Sequence, residues 1–162
     1  MPELLQPLLV AAIVSGALIT GLLFAFSLVV MRALSELPAD AGMRTMQRIN
    51  VLIVNPLFMV LFFGSSALCL AVAVIAARSL PATGAWLLLA GAIAYLLGPL
   101  LTTMVFNVPL NNQLASAAPH EAPTQWPRYV SAWLRWNHVR TALGTVAIAL
   151  LACGLAATAR GL

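Results

Sequence analysis

The chain has 162 residues, of which 62% are hydrophobic and 7% charged, where ordinary soluble domains carry roughly 25% charged residues. With a mean hydropathy of +1.01, this composition excludes a water-soluble surface, so the solvent is mostly lipid. The length allows one domain of a few spanning helices and leaves no room for a separate soluble catalytic domain.

All eight basic residues are arginines, and the net charge is +4. They are isolated singles rather than a stripe that tracks phosphates, so nucleic acid is not an expected partner. Cys69 and Cys153 each fall inside an apolar run, where they read as small core residues rather than a disulfide or a metal pair. The N-terminal stretch carries Glu3 and no basic residue before the apolar run. A secretory n-region is positive, so the first segment is expected to be retained as a helix.

Four apolar segments follow one another, at about 8–31, 51–77, 86–106 and 141–159. The last is extended backward by 129–140, which has no proline or glycine. Each approaches the roughly 20 residues that cross the hydrocarbon layer, and all are too long and uniform for barrel strands. The expected fold is therefore all-α: a single domain, 1–162, forming an integral membrane up-down four-helix bundle with helices at about 8–31, 51–77, 86–106 and 129–159.

The links differ. Residues 34–50 turn at Pro38 and are expected to begin a short helix at Met43. Residues 78–84 make a tight connection. The 107–127 link holds Pro109, Pro119, Pro123 and Pro127, and this density predicts an irregular loop on the membrane surface. Arginines set the expected orientation. Arg32, Arg44, Arg48, Arg128, Arg135 and Arg140 belong to the first and third links, against Arg78 and Arg160 opposite. The excess places those links in the cytoplasm and both termini outside. Small residues at four-residue spacing, Ala90, Ala94 and Gly98 in the third segment and Gly154 and Thr158 in the fourth, are candidate sites of close helix approach.

The few polar side chains collect at one end. Gln47, Asn50 and Asn55 precede the second helix body, Asn107, Asn111 and Asn112 follow the third, and Trp133, Trp136, Asn137, His138 and Arg140 open the fourth. In an up-down bundle these ends share one membrane face. On a helical wheel Tyr129, Trp133, Trp136, Asn137, Arg140, Thr141 and Gly144 fall within about 140°, with the cation near the centre. His138 falls outside that arc. Taken singly, Trp126, Tyr129 and Trp133 read as interfacial anchors and an arginine beside them as a snorkelling cation. His120, in the proline-rich link, reads as solvated. Anchoring does not require buried amides, however, whereas a pocket for a flat molecule with polar edges does.

Four motifs carry a family resemblance over nearly the whole chain. They are Phe24-Ala25-Phe26-Ser27, Met46-Gln47-x-Ile49-Asn50 leading to Asn55-Pro56, Phe106-Asn107-Val108-Pro109-Leu110-Asn111, and Trp136-Asn137-x-x-Arg140-Thr141. In order and spacing the chain resembles the anthrone oxygenase-like membrane proteins, four-helix bacterial proteins grouped with fungal polyketide-tailoring enzymes. It departs from their pattern at Arg32, where proline often follows the methionine. The resemblance implies a bacterial inner-membrane oxidoreductase that oxidises an anthrone-type phenolic tricycle with dioxygen.

Such a reaction needs a flat aromatic held, a proton removed and an oxyanion stabilised. Trp133 and Trp136 are the candidates for stacking, His138 for the base, and Arg140 and Asn137 for the oxyanion. Asn107, Asn111, Gln47, Asn50 and Asn55 are the candidate substrate contacts. No cofactor is assigned beyond dioxygen as co-substrate: one histidine with amides is a poor metal ligand set, and a haem held by His138 is the alternative. A small apolar aromatic ligand and the lipid bilayer are the expected partners, with a homo-oligomer as a further one. A different class, a non-catalytic membrane protein binding a lipid, quinone or partner helix at the same cluster, reads the amides and Arg140 as a packing network. A channel or transporter lacks the acidic intramembrane residues that mark an ion path.

Overall fold

The computed structural model describes residues 4–79 and 82–159 of the chain. These residues form five helices, α1 (Leu5–Ser35), α2 (Ala39–Leu52), α3 (Pro56–Arg78), α4 (Gly84–Ser116) and α5 (Pro119–Ala159). Helices α1, α3, α4 and α5 are long and apolar enough to cross a membrane, and the protein is a multi-pass integral membrane protein. Each of the four packs on its neighbour in sequence, and α5 closes the ring against α1. Large apolar side chains such as Val14, Leu18, Leu70 and Val146 point outward, as a lipid-facing surface requires.

The segment expected to start the second spanning helix at 51 is divided in two. Asn55 is extended, as residues before proline prefer, and its Oδ1 accepts the Phe58 N–H at 3.0 Å while Pro56 occupies the first turn. This cap starts α3 at Pro56. The preceding α2 begins four residues before the expected Met43. It is amphipathic, burying Gly42, Met43 and Met46 while exposing Arg44, Thr45 and Arg48.

The irregular loop expected over 107–127 is almost wholly helical. Helix α4 runs on to Ser116 and α5 starts at Pro119, leaving Ala117 and Ala118 between them. Two of the four prolines sit where a helix does not need their missing N–H, whereas Pro127 lies inside α5. Pro119 and Pro123 lie in the first turns of α5. Pro109 follows a π-helical stretch, Leu96–Asn107, whose wider register begins just before Pro99. A second π turn, Phe26–Val30, interrupts α1. Both π segments flank the site described below, where such turns are often found.

Three apolar clusters stack along the bundle. One, built on Leu9, Cys69, Val72, Leu88, Tyr95 and Leu151, fills the end away from α2. Ile19, Leu23 and Phe62 form a small middle cluster. The third packs Met31, Met43, Met46, Leu114, Trp126, Tyr129 and Trp133 between α2 and the long helices. Trp126, Tyr129 and Trp133 are thus buried packing residues rather than interfacial anchors. Cys69 lies in the core and Cys153 on the outer face.

The close approach of α4 and α5 uses Gly98 and Gly154 of the expected small residues, and Thr158 lies against Gly84. Ala90 is exposed and Ala94 half-buried, so neither forms the seam. At Gly98 an added Cβ would run into the Leu143 side chain, and at Gly154 it would meet Leu88 within 3.0 Å. Gly98 and Gly154 therefore let the two backbones meet, as small residues do in lipid.

A candidate active site around a buried arginine

Between the middle and third clusters lies a cavity of about 420 Å³, within the range of small-molecule pockets. Its apolar walls include Phe26 from α1, Phe58, Phe62 and Phe63 from α3, and Met104 from α4. Polar side chains come from three helices: Gln47 and Asn50 from α2, Thr103, Asn111 and Asn112 from α4, and Arg140 beside Trp133 from α5.

Arg140 is only 6% exposed. Its Nε donates to Asn137 Oδ1 at 2.9 Å, and one Nη1–H donates to Thr103 Oγ1 at 3.0 Å. Its guanidinium carbon lies 4.9 Å from the centre of the Trp133 ring, a cation–π contact. Among the described residues the ion pairs are Arg32 with Glu36 and Arg44 with Asp40, both exposed. No described carboxylate pairs with Arg140. A buried cation without a counter-ion is costly, and here it stands at the wall of a cavity.

Asn137 holds this arginine in place. It is fully buried, and its Nδ2 donates to the Leu23 carbonyl at 2.9 Å and to Ser27 Oγ at 2.7 Å. Both acceptors flank or lie within the π turn of α1, where the helix register shifts. The amide thereby ties α5 to α1 and fixes its oxygen toward Arg140. Asn111 is held as firmly: its Oδ1 accepts from Tyr129 Oη and from Trp133 Nε1, each at 2.9 Å. Gln47 Nε2 donates to the Leu114 carbonyl at 2.8 Å and ties α2 to α4.

The candidate residues therefore separate. Arg140, Trp133, Asn111, Gln47 and Asn50 come together on the cavity wall. Asn137 stands behind Arg140. Asn107 is buried but reaches the Trp133 carbonyl at 3.2 Å instead of the cavity. Asn55 is exposed and serves as the cap of α3. Trp136 stacks on Phe106 with ring centres 3.6 Å apart and planes at 6°, which occupies a face expected for substrate.

His138, the candidate base, is exposed on α5 and does not line the cavity. Its Nδ1 lies 3.0 Å from Ser27 Oγ, so it connects to Arg140 only through Ser27 and Asn137.

Thr103, Ser27 and the α3 phenylalanines join the site without a sequence expectation behind them. Ser27 stands in the first of the four motifs, whereas Thr103 lies inside the π stretch of α4, where α-helical spacing gives no signal.

A ring of four membrane helices around an aromatic cavity, with a buried arginine that no described carboxylate pairs, defines a multi-pass membrane protein. The model of the anthrone oxygenase family matches residues 58–150. This span is more than half of the chain, and the chain belongs to that family. The matched span carries Thr103, Asn111, Trp133, Asn137 and Arg140, while α1 and α2 precede it. No curated protein and no solved structure matches the chain.

Proposed function

We propose that the protein is a membrane oxidoreductase that converts an anthrone-type tricycle to its quinone with dioxygen, using the cavity around Arg140. The single observation that carries this reading is a guanidinium, buried and without a carboxylate, on the wall of an aromatic cavity of suitable size. Family membership supplies the substrate class.

Loss of a proton from the methylene of an anthrone gives an enolate delocalised over the rings. Arg140 stabilises that charge in a low-dielectric site, with Asn137 and Thr103 fixing the guanidinium. No imidazole or carboxylate lines the cavity among the described residues, so the arginine acts by lowering the acidity barrier and the proton leaves to water at the polar end. The enolate passes one electron to dioxygen, and the carbon radical and superoxide combine into a C–O bond. The resulting peroxide takes up a proton. Loss of the remaining hydrogen on that carbon then breaks the O–O bond, releasing water and leaving the new carbonyl. Anthrone and dioxygen thus give quinone and water, in balance.

His138 acts in this account as a positioning residue, through Ser27. The excess of arginines at the α2 end supports a cytoplasmic position for that end. The test is quinone formation from 1,8-dihydroxyanthrone by protein in lipid nanodiscs, compared with empty nanodiscs. A rate above the spontaneous one supports the reading, and a rate equal to it overturns the reading.

A further inference from the structure

The polar groups of the cavity wall can be sorted by the hydrogen-bonding capacity that the fold leaves unused. Arg140 has five N–H donors, and the contacts to Asn137 and Thr103 occupy one each. The Asn111 oxygen takes two donors, from Tyr129 and Trp133, which sets the orientation of the amide and leaves its N–H groups to donate elsewhere. Asn50 Nδ2 is buried without a partner. Gln47 spends its nitrogen on the Leu114 carbonyl and keeps its oxygen. Thr103 is satisfied, accepting from Arg140 and donating to the Pro99 carbonyl. The wall therefore offers a full positive charge and spare amide donors, with the amide oxygens of Gln47, Asn50 and Asn112 as acceptors.

We infer that this cavity binds its ligand as a planar oxyanion, a phenolate, enolate or aryl carboxylate of fused aromatic rings. The negative oxygen sits on Arg140, and a second oxygen acceptor takes the Asn111 N–H. A neutral ligand leaves the buried guanidinium unpaired, whereas an anion removes that cost and gains an attraction that low dielectric strengthens. The aromatic side chains of α1, α3 and α5 select flat rings over an acyl chain of the same charge. The inference rests on the reading of this cavity as the substrate site, but it is tested by binding alone.

The experiment measures quenching of tryptophan fluorescence in nanodiscs by anthracene-2-carboxylate, its neutral analogue anthracene-2-carboxamide, and oleate as a competitor, with empty nanodiscs as background. The carboxylate is expected to bind at least tenfold more tightly than the carboxamide and to resist displacement by oleate. Arg140→Met is expected to reduce that preference to less than twofold. Thr103→Asp, which places a carboxylate beside the guanidinium, is expected to do the same should Arg140→Met fail to fold. Equal binding of the two probes, no saturable binding of the carboxylate, a preference that survives in the folded variants, or displacement by oleate at lower concentration each overturns the inference. Turnover of 1,8-dihydroxyanthrone is followed in the same samples. Anion preference without turnover overturns the oxidoreductase reading alone, and turnover without anion preference overturns this inference alone.

Discussion

Arg140 and Asn137 lie one turn apart on α5, and the hydrogen bond of 2.9 Å from Arg140 Nε to Asn137 Oδ1 joins the cavity to the π turn of α1. The same amide donates to the Leu23 carbonyl and to Ser27. The helix that lines the site and the helix that encloses it are thus coupled through one side chain. Asn137→Ala leaves the Leu23 carbonyl without this donor and removes one Arg140 contact. A buried polar group left unsatisfied costs about 1–3 kcal/mol, so the variant is expected to melt at lower temperature in detergent. An unchanged melting temperature would remove Asn137 from this structural role.

Substitutions at Arg140 separate charge from geometry. Arg140→Met is expected to lower kcat/KM for the anthrone by about 10²–10³, the range for removing an oxyanion-stabilising donor. Arg140→Lys keeps the charge but loses the planar fork that meets Asn137 and Thr103 together, so it is expected to fall between the two. Oxygen-electrode kinetics on the three proteins check the order.

At Asn111 stability and binding are expected to part. Asn111→Asp keeps the oxygen that accepts from Tyr129 and Trp133, so folding is retained, but it replaces the free N–H donors by a second negative oxygen. Weaker binding of anthracene-2-carboxylate, with a melting temperature close to that of the parent, is the expected result. Asn111→Leu orphans both donors and is expected to lower stability by about 1–3 kcal/mol for each.

His138→Ala distinguishes a positioning residue from a base. Loss of a general base removes about 10²–10⁴ in rate. Loss of an exposed ring that reaches only Ser27 is expected to lower kcat less than tenfold. A loss of a hundredfold or more at constant KM would return the base role to His138.

Packing of α4 on α5 is tested at Gly98. A side chain there meets Leu143, on the helix that carries Arg140, and overpacking costs about 1–3 kcal/mol or more. Gly98→Leu is expected to lower the melting temperature, whereas Ala90→Leu, on an exposed position, is expected to leave it unchanged.

The four spanning helices and the inner face of α5 are legible in the sequence because hydrophobic length and a period of 3.6 residues record them directly. Trp133, Asn137, Arg140, Thr141 and Gly144 share one buried face, and His138, outside that arc, is exposed. The period fails where the helix is not α. The π stretch over Leu96–Asn107 shifts the phase of the residues beyond it, so a wheel drawn on α4 cannot place Thr103, Asn107 and Asn111 relative to one another. The prolines of the 107–127 link mislead for a related reason. They mark helix starts and register changes as well as loops, and composition does not distinguish these. The partner of Trp136 was also invisible, because its stacking on Phe106 is a contact between helices.

The most direct test of the central claim, that an uncompensated cation on the cavity wall is the working group, supplies the cation with an internal partner. Thr103→Asp sets a carboxylate at the position whose oxygen now lies 3.0 Å from Arg140 Nη1, while leaving Asn137 and Trp133 as they are. Anthrone-dependent oxygen uptake by this variant, in nanodiscs and with folding confirmed by its melting temperature, is the measurement. Uptake at the rate of empty nanodiscs is the predicted result. Uptake at the parent rate by the folded variant would contradict the account.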